Sequence, residues 1–207
     1  SGVDIEATLA AAVEWRGRDK VILVPLDGSI EAKVALPVAR LISQVTGATV
    51  HVLHVAEEPL SGKQLLQQLK LARREETVGL VINQVIGTPA EEIVRNAAEK
   101  RAMLIAMTTR GHTAYQGRTL RPVPEKVVQK APCPVILVRP ENGSRVAQMK
   151  TLRRILLPLD GAPSTMAVVG PAVSLAEQSG AELDVLYVAS LYEVAAAEPG
   201  TFTTPRY

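Results

Sequence analysis

The chain has 207 residues, a formal net charge of +2, 47% hydrophobic residues and 3% aromatic residues. A mean hydropathy of +0.14 supports a sizeable core and argues against intrinsic disorder. So small a charge excess, with so few rings, argues against a nucleic-acid footprint or a base-stacking surface.

The N-terminal residues Ser1-Gly2-Val3-Asp4 have no basic stretch followed by an apolar one, so no secretory signal is read there. No apolar run approaches the roughly 18–20 residues of a membrane span. Leu9, Ala12, Val13 and Trp15 suggest a short amphipathic helix, expected to pack on the protein rather than on a lipid surface. Lys20 to Leu26 is a β-branched run and reads as a buried strand. Ser29 to Thr46 reads as one helix, with Ala35, Val38, Ala39, Ile42 and Val45 on one face and Gly47 as its stop. Thr49 to Val55 is a second strand, and Leu60 to Thr77 a second helix with a wet face. Leu80 to Ile86 is a third strand. Thr88-Pro89-Ala90-Glu91 has the pattern of a capping box with proline at the first helical position, opening a helix to Arg101. Met103 to Thr108 is a fourth strand, Arg110 to Arg121 an irregular loop, Glu125 to Lys130 a helix and Pro134 to Val138 a fifth strand.

Alternating strands and helices, with strands that are almost continuously apolar, predict an α/β fold with a doubly wound parallel sheet. Such sheets bind ligands beyond the carboxyl ends of their strands. The tips worth attention are Pro25-Leu26-Asp27, Val55-Ala56, Gly87-Thr88 and Met107 to Gly111.

An internal repeat organises the whole chain. Val24-Pro25-Leu26-Asp27-Gly28-Ser29 recurs as Leu157-Pro158-Leu159-Asp160-Gly161-Ala162, an offset of 133 residues from Pro25 to Pro158. The same offset carries Gly47 to Gly180 and His54-Val55 to Tyr187-Val188. The second copy supplies strand, helix and strand from Arg153 to about Tyr192, and Glu193 to Tyr207 shows no further strand–helix pattern. The expected organisation is a helical extension over 1–18, a whole domain over 19–140, a linker over 141–152 and an incomplete second domain over 153–207. Half of such a fold cannot cover its own sheet. The expectation is a fragment of a longer tandem protein, the alternative a partner chain that completes it.

The motifs resemble those of the universal stress proteins. They are the Val24–Ser29 segment, Leu53-His54-Val55, Gly87-Thr88-Pro89-Ala90-Glu91-Glu92-Ile93, Glu125-Lys126-Val127 and, most distinctive, Ala131-Pro132-Cys133-Pro134-Val135. The resemblance implies a five-stranded sheet in the order 3-2-1-4-5, of the Rossmann-like, adenine nucleotide α-hydrolase-like kind. It also implies a cytoplasmic stress-response protein that forms a homodimer or self-associates through tandem domains. One branch of the family binds ATP and another does not. The ATP-binding branch carries Gly-x2-Gly-x9-Gly-Ser/Thr after the fourth strand, where small residues let backbone amides approach phosphates at a helix start.

This sequence departs from that pattern. Thr108 stands where the first glycine belongs, Gly111 fits the second, and Arg121-Pro122 replaces the Gly-Ser/Thr pair. Pro122 and Pro124 delete two backbone donors near the helix start. Against this, Arg110, Arg118 and Arg121 lie in the same loop, and guanidinium groups hold phosphate without backbone help. The candidate nucleotide-facing set for ATP or AMP is Pro25, Asp27, Val55, Met107, Thr108, Gly111, Arg121 and Val123. The second copy keeps Pro158, Asp160 and Val188 but ends before any phosphate loop.

Each candidate has a plainer reading. Asp27 suits a turn whose carboxylate accepts backbone N–H groups, and the loop arginines suit a solvated basic loop. His51 and His54 point to opposite faces of a strand, which disfavours shared metal ligation, and His112 stands alone in its loop. The single cysteine, Cys133, excludes an intrachain disulfide and a multi-cysteine zinc site; it fits a reducing compartment and a buried small apolar role. Ser29 and Thr88 read as helix caps, since neither has a partner base. No catalytic constellation is legible, so a regulatory binding protein is expected rather than an enzyme. The rivals are a nucleotide-free interaction module using the edge at Val135 to Val138, and an ATP-hydrolysing or adenylyl-transfer enzyme.

Overall fold

The computed structural model describes residues 19–71, 73–109 and 122–188. The expected N-terminal helix, the loop from Arg110 to Arg121 and the tail beyond Val188 lie outside them.

The first copy opens with β1 (Asp19–Pro25), followed by the short helix α1 (Ile30–Lys33) and by α2 (Ala35–Thr46). The single helix expected here is broken at Val34. Pro37 has no N–H for the Lys33 carbonyl four residues back, and its ring crowds that carbonyl, so the chain re-enters the helix one residue later. The second copy breaks in the same way: α8 (Pro163–Met166) and α9 (Val169–Ser179) meet ahead of Pro171, which faces Ala167 as Pro37 faces Lys33. Both long helices end on left-handed glycines, Gly47 and Gly180.

Next come β2 (Thr49–Ala56), α3 (Gly62–Gln68), α4 (Arg74–Thr77) and β3 (Leu80–Ile86). The expected helix over Leu60–Thr77 is therefore two pieces. Lys70 takes φ 55°, and the Leu71 N–H bonds back to the Leu66 carbonyl at 2.9 Å. Leu69 and Leu71 are both buried. In a continuous helix they would point about 200° apart, and only one could reach the sheet. The left-handed residue between them turns both inward.

The copy continues with α5 (Pro89–Glu99), β4 (Ala102–Thr108), α6 (Pro122–Lys130) and β5 (Val135–Val138). Pro89 opens α5 as expected, but Thr88 makes no side-chain cap bond, so the expected capping box does not form. A capping box does close α3, between Ser61 and Gln64. The segment read as a linker contains a 3-10 turn (Pro140–Asn142) and α7 (Gly143–Ala147). The second copy has β6 (Arg154–Leu159) paired in parallel with β7 (Glu182–Tyr187).

The first sheet is parallel throughout, in the order β3-β2-β1-β4-β5. Its two faces carry separate cores. One gathers Ile22, Val24, Val50 and Val52 under α2 and the Leu65–Leu71 stretch. The other gathers Leu23, Leu53, Ile105 and Met107 with Ala90 and Ile93 of α5 and Val127 of α6. Burial on both faces is why these strands read as unbroken apolar runs.

Candidate functional site

The strand order reverses between β1 and β4, so a crevice opens beyond their carboxyl ends. The Leu-Asp-Gly turn forms its β1 side. The Leu26 N–H continues the sheet by bonding to the Leu53 carbonyl at 2.9 Å, and the Leu26 carbonyl meets His54 Nδ1 at 2.8 Å. One oxygen of Asp27 accepts from the Ser29 N–H at 2.9 Å and from its hydroxyl at 2.6 Å. The Ser29 hydroxyl oxygen in turn accepts the Ala32 N–H at 3.0 Å, capping α1 as expected.

The second copy repeats this chemistry with different residues. Asp160 accepts from the Ala162 N–H at 2.9 Å and the Thr165 hydroxyl at 2.6 Å. These bonds, the hydroxyl's first, hold its carboxyl below the usual carboxylate range. Each aspartate thus closes its own turn, which is the plainer of the two readings.

Gly28 sits at φ +85°, and a Cβ there would lie 2.6 Å from the Gln68 carbonyl oxygen. That contact brings the end of α3 down onto the turn. The other end of the segment is held by Gln84 of β3, whose amide nitrogen donates to the Leu60 carbonyl and whose oxygen accepts the Leu60 N–H at 3.1 Å. Lys33 reaches the Lys70 carbonyl at 2.7 Å and Glu76 at 2.8 Å, and Arg40 donates to the Glu76 and Val78 carbonyls. These clamps were not read from the sequence; only the amphipathic pattern of the segment was visible there.

The candidate residues fall into three groups. Pro25, half-buried, and Asp27, exposed, form the β1 lip, and Thr108, buried, ends β4 opposite. Met107 is buried in the second core, and Val55 and Val123, partly buried, pack against that core. Gly111 and Arg121, with Arg110, Arg118 and His112, lie outside the described residues. The first described residues of α6 are Pro122, Val123 and Pro124. A helix start leaves its first amides unpaired, and two of these three positions have no amide hydrogen.

The histidines separate as expected. His51 stands in register with Leu23 and Val81, and His54 with Gln84. Among the described residues no group of His, Cys, Asp or Glu could hold a metal ion, and no helix is long and apolar enough to cross a membrane. Cys133 is buried in the second core.

The chain is 36% identical over 135 residues to the "universal stress protein in QAH/OAS sulfhydrylase 3′ region" of Thermus aquaticus, covering 58% of this chain and 98% of that protein. It is 31% identical over 139 residues to universal stress protein MJ0531 of Methanocaldococcus jannaschii, covering 58% of this chain and 82% of that one. A solved structure from Pseudomonas aeruginosa UCBPP-PA14 that carries the same family description covers 88% of this chain and 66% of its own, at a TM-score of 0.62 and 23% identity. That likeness concerns the fold. The pattern of the universal stress protein family matches residues 20–139 and again 151–206. Two matches across most of the length, on two copies of one strand–turn–helix unit, place the chain in the universal stress protein family.

Proposed function

We propose that this protein is a regulatory binding protein of the stress response, working in the cytoplasm through self-association of its domains, and that its crevice does not hold a triphosphate through main-chain amides. The observation that carries the second part is the start of α6 on Pro122-Val123-Pro124. An anion at a helix start is bound by amides pointing at it. Here Val123 supplies the one N–H among the first three described positions. Hydrogen bonds to a charged group contribute about 1.5–3 kcal/mol each, so two missing donors remove about 3–6 kcal/mol, or at least about a hundredfold in affinity.

A second reading keeps an adenine nucleotide, held by side chains instead. The closeness of Pro25, Asp27 and Thr108 at the carboxyl ends of the adjacent strands β1 and β4 favours it. Calorimetric titration with adenosine, AMP and magnesium ATP separates the two. Under the first reading ATP gains nothing over adenosine, or neither binds. Under the second, ATP binds more tightly and Arg121→Ala abolishes the gain. ATP that binds a hundredfold more tightly than adenosine, and equally well when Arg110, Arg118 and Arg121 are all replaced by alanine, would overturn both, because only a main-chain cradle would remain.

A further inference from the structure

A half-open cavity of about 280 Å³ lies at the joint between the two copies. Its lining includes Leu41 and Ile42 of α2, Val146 of α7, Ile155 of β6 and Leu175 of α9. Every residue lining it is apolar except Arg154. It shares no residue with the crevice at the strand tips.

The chemistry of the lining narrows the occupant. Water against these walls finds a single guanidinium to bond to, so apolar contact is what the lining offers. That group is already engaged: Arg154 Nη2 lies 3.0 Å from Glu182 Oε2, and Nε lies 3.2 Å from Asp184 Oδ2. An anionic head group at this rim would meet two carboxylates around one satisfied cation. An apolar cavity of about 150 Å³ accommodates benzene, so this volume suits a molecule of about twice that bulk.

We propose that the joint is a binding site for an uncharged apolar small molecule of two-ring or ten-carbon size. Bound there, it touches α2 of the first copy and β6 and α9 of the second at once, and so ties the two copies together. The inference is independent of whether the crevice takes a nucleotide.

The test is a methyl-resolved NMR titration of the whole chain with naphthalene and with naphthalene-2-sulfonate. Naphthalene should give saturable shifts at the Leu41, Ile42, Ile155 and Leu175 methyls, and the sulfonate should bind at least about tenfold more weakly, since burying an unpaired charge is costly. Leu175→Trp should fill the space and weaken naphthalene at least about tenfold, with the Ile93 and Val127 methyls of the distant core unmoved as the check on folding. Val146→Phe serves if the tryptophan variant does not fold. Absence of saturable shifts up to the solubility of naphthalene, equal affinity for the sulfonate, or binding that survives the filling substitution would each overturn the proposal.

Discussion

Replacing Gly28 by alanine should destabilise the first copy far more than the equivalent change at Gly161 destabilises the second. Both glycines are left-handed, at φ +85° and +82°. A Cβ in that region costs about 1–2 kcal/mol at either site. The surroundings differ. At Gly28 the new atom would lie 2.6 Å from the Gln68 carbonyl oxygen, which is backbone at the end of a helix. Forcing that overlap apart costs about 1–3 kcal/mol more. At Gly161 the nearest atom is the Tyr187 hydroxyl at 3.3 Å, on an exposed side chain that can swing away. The expected losses are therefore about 2–5 kcal/mol for Gly28→Ala and about 1–2 kcal/mol for Gly161→Ala. Urea unfolding followed by amide exchange in β1 and β6 reads each copy separately. Equal losses at the two glycines would refute the reasoning, since the backbone conformation would then be the whole effect and the approach of α3 irrelevant.

Two further outcomes concern pH and charge. Burial, and secondly the Lys100 ammonium, hold the His51 imidazole below its ordinary value of 6.5, and its Nδ1 has no hydrogen-bond partner. The unfolded chain therefore takes up this proton more readily than the folded one. The resulting stability is complete above about pH 6.5 and is lost as pH falls through the lowered folded value. His51→Leu should flatten that part of the profile in urea midpoints measured from pH 7.5 to 5, and an unchanged slope would show that another group carries it. Separately, the hydrogen bond from Lys33, ahead of any other favourable contact, holds the Glu76 carboxyl below its usual range. Lys33→Met should return Glu76 toward an ordinary carboxylate in an NMR titration. A Glu76 that titrates as before would mean that the lysine does not set it.

Much of this protein was readable from residue order. The five strands, their parallel alternation with helices and the two copies at a constant offset follow from apolar runs, turn residues and the recurring Leu-Asp-Gly segment. Both aspartates could be read as turn-closing because a short carboxylate beside a glycine has backbone donors within reach whatever the rest of the chain does. The break at Val34 was also present in the letters, in Pro37 and its missing amide, but helical periodicity alone passes over it. The candidate site was less legible. Met107, near the end of β4, is buried in the second core, and Val55 of β2 and Val123 of α6 pack against that core while staying partly exposed. A strand-tip position does not reveal to which side its residue turns.

What residue order determined by itself is whatever depends on neighbours a few places away: element type, the turn chemistry and the loss of two amides at the start of α6. Tertiary structure alone decided the break after Gln68, the Gln84 clamp on Leu60, the closeness of Gly28 to α3 and the apolar joint where α9 meets α2. Each of these joins residues distant in sequence. Their positions are set by which surfaces must be removed from water together, and local preference has no information about that.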